Sequence, residues 1–319
     1  MGIIICMADL LPEQLERLAH EGHEVRLPKP AADSLIGFIA DADALICMLT
    51  HSIGKREFDA SPGLKVVANV AVGYENIDVS AAKTRGIIVT NTPDVLTEAT
   101  ADHAFALLLA AARRVPEADR CVRSHDFPSW GLQQPLMGID VGGKNLGIVG
   151  MGRIGAAVAR RGHHGFGMPI FYHSRTRKPE LERELHAQFL PLGELLATSD
   201  FVSVHVPATS ETQHLFDAAA FAQMKPTAIL VNVARGAIVD EGALVHALRN
   251  HTIAGAGLDV FEHEPLIHPG LLELQERVVL SPHLGSATAE TRTRMGEMAI
   301  DNVLAVLAGL PALTPVNSG

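Results

Sequence analysis

Cysteine is scarce in this chain. Cys6, Cys47 and Cys121 are the only three in 319 residues, and they lie far apart. An odd, scattered set excludes CxxC metal sites and fits a reducing, cytoplasmic setting. Long apolar runs are absent as well. The longest, Ala104 to Ala112, is far too short to span a bilayer. There is no basic excess: 26 Lys and Arg stand against 36 Asp and Glu, for a net charge of −10. A nucleic-acid surface would need a basic face, so none is expected. No basic segment precedes an apolar one at the start, so no signal peptide is expected either. No tract is of low complexity. Tryptophan occurs once, as Trp130.

What remains is an apolar chain, 47% hydrophobic. It can build a sizeable core without disulfides, and its length suits about two domains. Short apolar runs alternate with helical patterns. Ile3 to Cys6, His23 to Leu27, Ala44 to Leu49, Lys65 to Ala71 and Ile87 to Thr90 read as strands. Leu11 to Glu21, Leu35 to Ala42 and Val79 to Thr84 read as the helices between them. Such alternation predicts parallel sheets with helices on both faces. Thr97 to Arg114 reads as a helix whose core, Ala104 to Ala112, is apolar nearly all round, hence buried between domains. Glu117 to Gly143 reads as a long irregular connection, functional or an interface arm. Ala289 to Leu307 reads as a closing helix that returns to the first domain.

The informative stretch is Lys144 to Arg175. The apolar run Asn145 to Val149 leads into Gly150-Met151-Gly152-Arg153-Ile154-Gly155, a small-residue helix and a second apolar run, Pro169 to Tyr172. Strand, glycine turn, helix and strand within about 30 residues form a dinucleotide-binding pattern. Gly150 permits the tight turn, Gly152 lets a pyrophosphate approach, and Gly155 lets helix and strand pack closely. The helix start then favours the anion. An NAD site usually has a carboxylate at the end of the second strand. Here His173, Ser174, Arg175 and Thr176 stand there, and no acid appears before Glu180. Arg175 suits a 2′-phosphate, with donors from Ser174 and Thr176, so NADP(H) is preferred and NAD(H) possible.

Three further apolar strands end at polar residues: Ala228 to Val233 before Arg235, Gly255 to Leu258 before Asp259, and Val278 to Leu280 before His283. Ligands of open parallel sheets bind at those carboxyl ends. The chain resembles the D-isomer-specific 2-hydroxyacid dehydrogenases through five ordered motifs. They are Val72 to Asp78, Gly150 to Gly155, Val231 to Gly236, Gly257 to Pro265 and Pro282 to Thr288. Within that family Thr92 to Thr97, Val72-Gly73-Tyr74 and His173-Ser174-Arg175 are most similar to glyoxylate/hydroxypyruvate reductases. The resemblance implies an α/β fold of two doubly wound parallel-sheet domains. A Rossmann cofactor domain, 99–287, is inserted in a flavodoxin-like substrate domain, 1–98 with 288–319.

It also implies a catalytic trio of Arg235, Glu264 and His283. A planar, permanently charged Arg235 holds a 2-oxo acid by its carboxylate and polarises its carbonyl. His283 gives a proton to the developing alkoxide. Glu264 orients the ring and favours its protonated form. The resemblance places Thr100, Gly150, Gly152, Arg153, Ile154, Gly155, Val206, Pro207, Thr212, Val233, Ala234, Asp259, His283, Gly285 and Ser286 beside the cofactor. Thr100 is equally well a helix-start hydroxyl. Val72, Gly73 and Ser286 join Arg235 and His283 around the substrate. Trp130 either lines a partner's active site or packs in a core or interface, and a homodimer is expected. The remaining histidines, among them His163, His164, His205 and His214, lack convergent ligand spacing, so no metal is expected. The expected function is reduction of small 2-oxo acids, glyoxylate and hydroxypyruvate first. Alternatives are a 2-ketogluconate reductase and, in another class, a dinucleotide-sensing binding protein or corepressor.

Overall fold

A computed structural model describes residues 2–28 and 35–317. The chain divides into two compact units, Met1–Leu96 with Ala287–Gly319, and Thr97–Ser286. The first holds five strands: β1 (Ile3–Cys6), β2 (Glu24–Arg26), β3 (Ala44–Cys47), β4 (Val66–Asn69) and β5 (Ile88–Thr90). All are parallel, in the order β2-β1-β3-β4-β5, the flavodoxin-like order. β3 and β4 are buried along their whole length, which is why they read as unbroken apolar runs. The last long helix, Ala289–Leu307, packs on β3, β4 and helix Pro12–His20. Buried Gln14 fastens it by donating to the Thr293 carbonyl at 2.9 Å.

The second unit holds β6 (Leu146–Val149), β7 (Ile170–His173), β8 (Gln188–Phe189), β9 (Phe201–Val204), β10 (Ile229–Asn232), β11 (Gly255–Leu258) and β12 (Val278–Leu280). They form one parallel sheet in the order β12-β11-β10-β9-β6-β7-β8. Counted within the unit, that is the doubly wound dinucleotide-binding order with one strand added. Apolar clusters cover its strands. One gathers Phe105, Leu108, Ile148, Tyr172 and Phe201; the other gathers Val204, Phe216, Phe221, Leu230 and Leu258. β6 and β9 are neighbours while their chain connections run to opposite sides. The sheet's topological switch therefore falls beside Gly150.

Two sequence expectations need correction. The long helix ends at Ala112; it packs on β10, β11 and helix Arg153–Arg160 of its own unit. The following segment is not irregular throughout. Arg114 takes a left-handed conformation (φ 53°), and a new helix runs Val115–Arg123 with proline in its first turn. Pro116 breaks no hydrogen bond there, because the first-turn N–H groups of a helix have no partner within it.

Gly150 has φ 100°, and a Cβ there would meet the backbone of His205 and Val206. A Cβ on Gly155 would overlap the Gly150 carbonyl, whereas one on Gly152 would meet nothing within 4 Å. Gly155→Ala is therefore expected to cost about 1–3 kcal/mol of stability by overpacking. Gly152→Ala meets no steric clash, but glycine is favoured over alanine at a helix N-cap, so it is expected to cost less, about 0.5–1 kcal/mol. Thermal unfolding of both variants checks this, and equal melting temperatures would refute the close-packing role of Gly155.

Candidate active site

Because every strand of the second unit is parallel, all its carboxyl ends lie along one edge. The turns leaving that edge carry nearly every expected site residue. Gly150 to Gly155 follow β6, His173 to Thr176 end β7, and Val206, Pro207 and Thr212 follow β9. Val233 to Arg235 follow β10, Asp259 follows β11, and His283 to Ser286 follow β12. Val72 and Gly73 belong to the first unit, on the turn after β4. Their carbonyls accept from the Asn91 and Asn69 amides at 2.8 and 2.7 Å. Among the described residues neither N–H has an acceptor.

Two of the expected catalytic residues form a pair. His283 Nδ1 lies 2.8 Å from Glu264 Oε2, and both side chains are about one-third exposed, at 37% and 36%. The other Glu264 oxygen accepts from the Phe261 N–H at 3.0 Å. Burial pulls the Glu264 carboxyl upward. The hydrogen bonds from His283 and the Phe261 N–H, with the charge of Arg235, outweigh it and hold the carboxyl below its usual range. Arg235 is thus electrostatically part of the same site. His205, on the neighbouring strand end, differs: burial pushes its ring down to about 3. It stays neutral, 2.8 Å from the Ser203 hydroxyl.

Buried polar side chains hold these turns from beneath, and the sequence reading missed all but one of them. Asn232 accepts from the Ala234 N–H at 3.0 Å and donates to the Arg235 carbonyl at 2.9 Å. Gly236 brings that turn against Phe261 and Glu262, whose backbone a Cβ would strike. Glu241 accepts from the Glu262 N–H at 2.9 Å. Asp259 accepts from the N–H groups of Leu284 and Gly285, both at 2.7 Å. It also takes His103 Nε2 at 3.0 Å and the Ser281 hydroxyl. Its carbonyl receives the His283 N–H at 2.8 Å, which fixes His283 in a left-handed conformation (φ 56°). The sequence reading gave Asp259 to the nicotinamide side. The structure shows its carboxylate fully buried, gripping the turn that carries His283. Asn232 sits inside a recognisable motif and Ser281 directly before one, so both were within reach of sequence reasoning. Glu241 and His103 carried no such signal.

The dinucleotide fit rests on the glycine turn, where Gly152 opens helix Arg153–Arg160 with free space beside its Cα. At the end of β7, His173 is bound to the Leu190 carbonyl and stacks on Phe189. Ser174 turns back to the Thr176 carbonyl. Arg177 pairs with Glu182 at 2.7 Å. Arg175 is exposed, with no side-chain partner among the described residues. The Thr212 hydroxyl donates to the Pro207 carbonyl at 2.6 Å, closing the turn after β9. Thr100 is buried beside Gly285. Trp130 is 82% exposed and therefore not in the core of this chain. A separate cavity of about 540 Å³, lined by Arg120, Cys121 and Arg277 among others, shares no residue with the trio. Among the described residues no group of three His, Cys, Asp or Glu converges as metal ligands do, and no helix is long and apolar enough to cross a membrane.

Comparison with known proteins agrees with this geometry. Residues 105–285 match the family model of the D-isomer specific 2-hydroxyacid dehydrogenase, NAD binding domain. A glyoxylate reductase of Thermococcus onnurineus is 52% identical over 314 residues, covering 96% of this chain and 93% of that protein. A solved Thermus thermophilus protein is 45% identical with a TM-score of 0.92, covering 98% and 99% of the two chains. An NADPH-dependent glyoxylate/hydroxypyruvate reductase from Sinorhizobium meliloti, solved with NADP and malonate, is 38% identical with a TM-score of 0.87, covering 99% and 96%. With a family match over more than half its length and the Arg235, Glu264 and His283 set in place, the chain belongs to the D-isomer-specific 2-hydroxyacid dehydrogenases, NAD(P)-dependent oxidoreductases acting on CH–OH groups.

Proposed function

We propose that this enzyme is an NADPH-preferring reductase of small 2-oxo acids, glyoxylate and hydroxypyruvate first. The observation that carries the reaction is the His283–Glu264 pair with the charge of Arg235 beside it. Turnover of a 2-oxo acid separates this reading from a dinucleotide sensor on the same scaffold, which can carry the same residues. Glyoxylate is favoured by the names of the relatives, and NADPH by the uncommitted Arg175 at a strand end without a carboxylate.

In this reading the bound nicotinamide supplies a hydride to the carbonyl carbon. Arg235 holds the substrate carboxylate and draws charge toward the carbonyl oxygen. The free N–H groups of Val72 and Gly73 add donors for that carboxylate. His283 Nε2 faces the oxygen and delivers the proton, while Glu264 fixes Nδ1 as the other, donating nitrogen. Gly150 to Gly155 receive the pyrophosphate, and Arg175 with Ser174 and Thr176 the 2′-phosphate. Val206, Pro207, Thr212, Val233, Ala234 and Ser286 border the cofactor. Asp259 and Gly285 act by holding the His283 turn. NADPH oxidation against a panel of glyoxylate, hydroxypyruvate and 2-ketogluconate tests the reading, and no turnover with the first two would sink it.

Arg175→Ala is expected to raise KM for NADPH about tenfold or more, near 1.4 kcal/mol, with little change for NADH. Equal losses with both cofactors would remove the 2′-phosphate assignment. His283→Ala is expected to cut kcat about a hundredfold or more, with dinucleotide affinity nearly intact. The depressed Glu264 carboxyl stays ionised well below neutral pH. Reduction consumes a proton at the substrate oxygen and is therefore expected to decline with rising pH, while oxidation improves. Glu264→Gln removes the charge and is expected to move the reduction profile to lower pH; an unmoved profile refutes the coupling. The segment 115–137 exposes Val115, Val122, Phe127, Trp130, Leu132 and Met137, and exposed apolar side chains gathered in one segment suit an interaction surface. A homodimer through this segment is expected, and light scattering that shows a monomer at micromolar concentration would refute it.

A further inference from the structure

Helix Thr97–Ala112 comes unusually close to β11. A Cβ on Gly257 would press against Leu107 at 3.0 Å. Thr100, His103 and Leu107 lie three and four residues apart, so they share the helix face turned toward that strand. The close approach sets His103 beside the end of β11 and the turn after β12. Its Nε2 lies 3.0 Å from Asp259 Oδ1 and 2.8 Å from Ser281 Oγ. The tautomer follows from the partners. Asp259, held below its usual carboxylate range by His103, Ser281 and the Leu284 N–H against the pull of burial, only accepts. Ser281 gives its own proton to Asp259, so its oxygen is left to accept. His103 Nε2 must then carry hydrogen and serve both.

Asp259 is fully buried, and a buried carboxylate keeps its place only while its donors do. Its donors are His103, the Ser281 hydroxyl, and the N–H groups of Leu284 and Gly285. Three of the four belong to the turn that carries His283. His103 is the one supplied from outside that turn.

We propose that His103 is a positioning residue of the reductase. From helix Thr97–Ala112 it locks Asp259 and Ser281 together, and so holds the 281–285 turn that aims the His283 ring at the substrate oxygen. The proposal rests on His283 as the proton donor. It adds a role for a residue that touches neither Glu264 nor His283.

The test uses the full-length enzyme and two variants. His103→Leu keeps the bulk and removes the donor; His103→Gln keeps a side-chain N–H at similar reach. In His103→Leu the amides of Leu284 and Gly285 are expected to exchange hydrogen about tenfold faster, because their acceptor is loosened. Its kcat for glyoxylate is expected to fall about tenfold or more while KM for NADPH stays near wild type, the pattern of a misaimed proton donor. His103→Gln restores most of both. Ser281→Ala removes the shared hydroxyl without bulk and opens the same amides, even if His103→Leu does not fold. Unchanged exchange in these variants, unchanged kcat in folded His103→Leu, or equal losses in the Leu and Gln variants overturns the proposal. A wild-type enzyme that turns over no 2-oxo acid refutes the reductase reading instead. The exchange comparison then still decides whether His103 anchors the turn.

Discussion

The buried carboxylate of Asp259 is the constraint on which the site depends. A charge with no exposed surface is costly unless its lone pairs are met by donors. Here four donors meet it, and two are backbone N–H groups just after His283 in its turn. Burial pulls the carboxyl up, while the hydrogen bonds from His103, Ser281 and the Leu284 N–H hold it down. The net shift is downward. Its contribution is therefore present above the unfolded-state value and lost only as pH falls through the folded one. The anchor is complete at neutral pH, where the enzyme needs it.

The same device recurs on neighbouring strand ends. Asn232 grips the Arg235 turn, and Glu241 grips the segment leading to Glu264. Arg235, Glu264 and His283, the proposed catalytic set, thus each stand on a turn whose backbone is bonded to a buried polar group. That arrangement leaves the functional side chains half-exposed and their backbones fixed, as preorganised catalysis requires. Charge is divided along the edge as well. The end of β7 is cationic, with Arg175 unpaired among the described residues, and the turns after β10 to β12 hold the arginine, carboxylate and imidazole of the proposed site.

Much of this was legible in the residues. The glycine turn could be read because each glycine has a separate steric reason; the structure shows the tight turn at Gly150 and the close packing at Gly155, and leaves open space beside Gly152. The strands could be read because a parallel sheet covered on both faces makes each strand an apolar run. Helix Val115–Arg123 was not read because Pro116 marks the end of a helix as readily as the first turn of a new one. The short helices Leu192–Thr198 and Ala218–Gln223 escaped for another reason: they are one or two turns long, too short for a period to show.

By itself the sequence determined the elements, the glycine turn, the absence of a carboxylate after β7, and the residue types of Arg235, Glu264 and His283. These are local matters of side-chain volume, backbone freedom and charge. Only the tertiary structure decided that His283 meets Glu264, that Asp259 is buried, and that His103 reaches Asp259 across a separation of 156 residues. Those contacts depend on strand order, and on how closely a helix can approach a glycine in the strand beneath it. No local pattern records either.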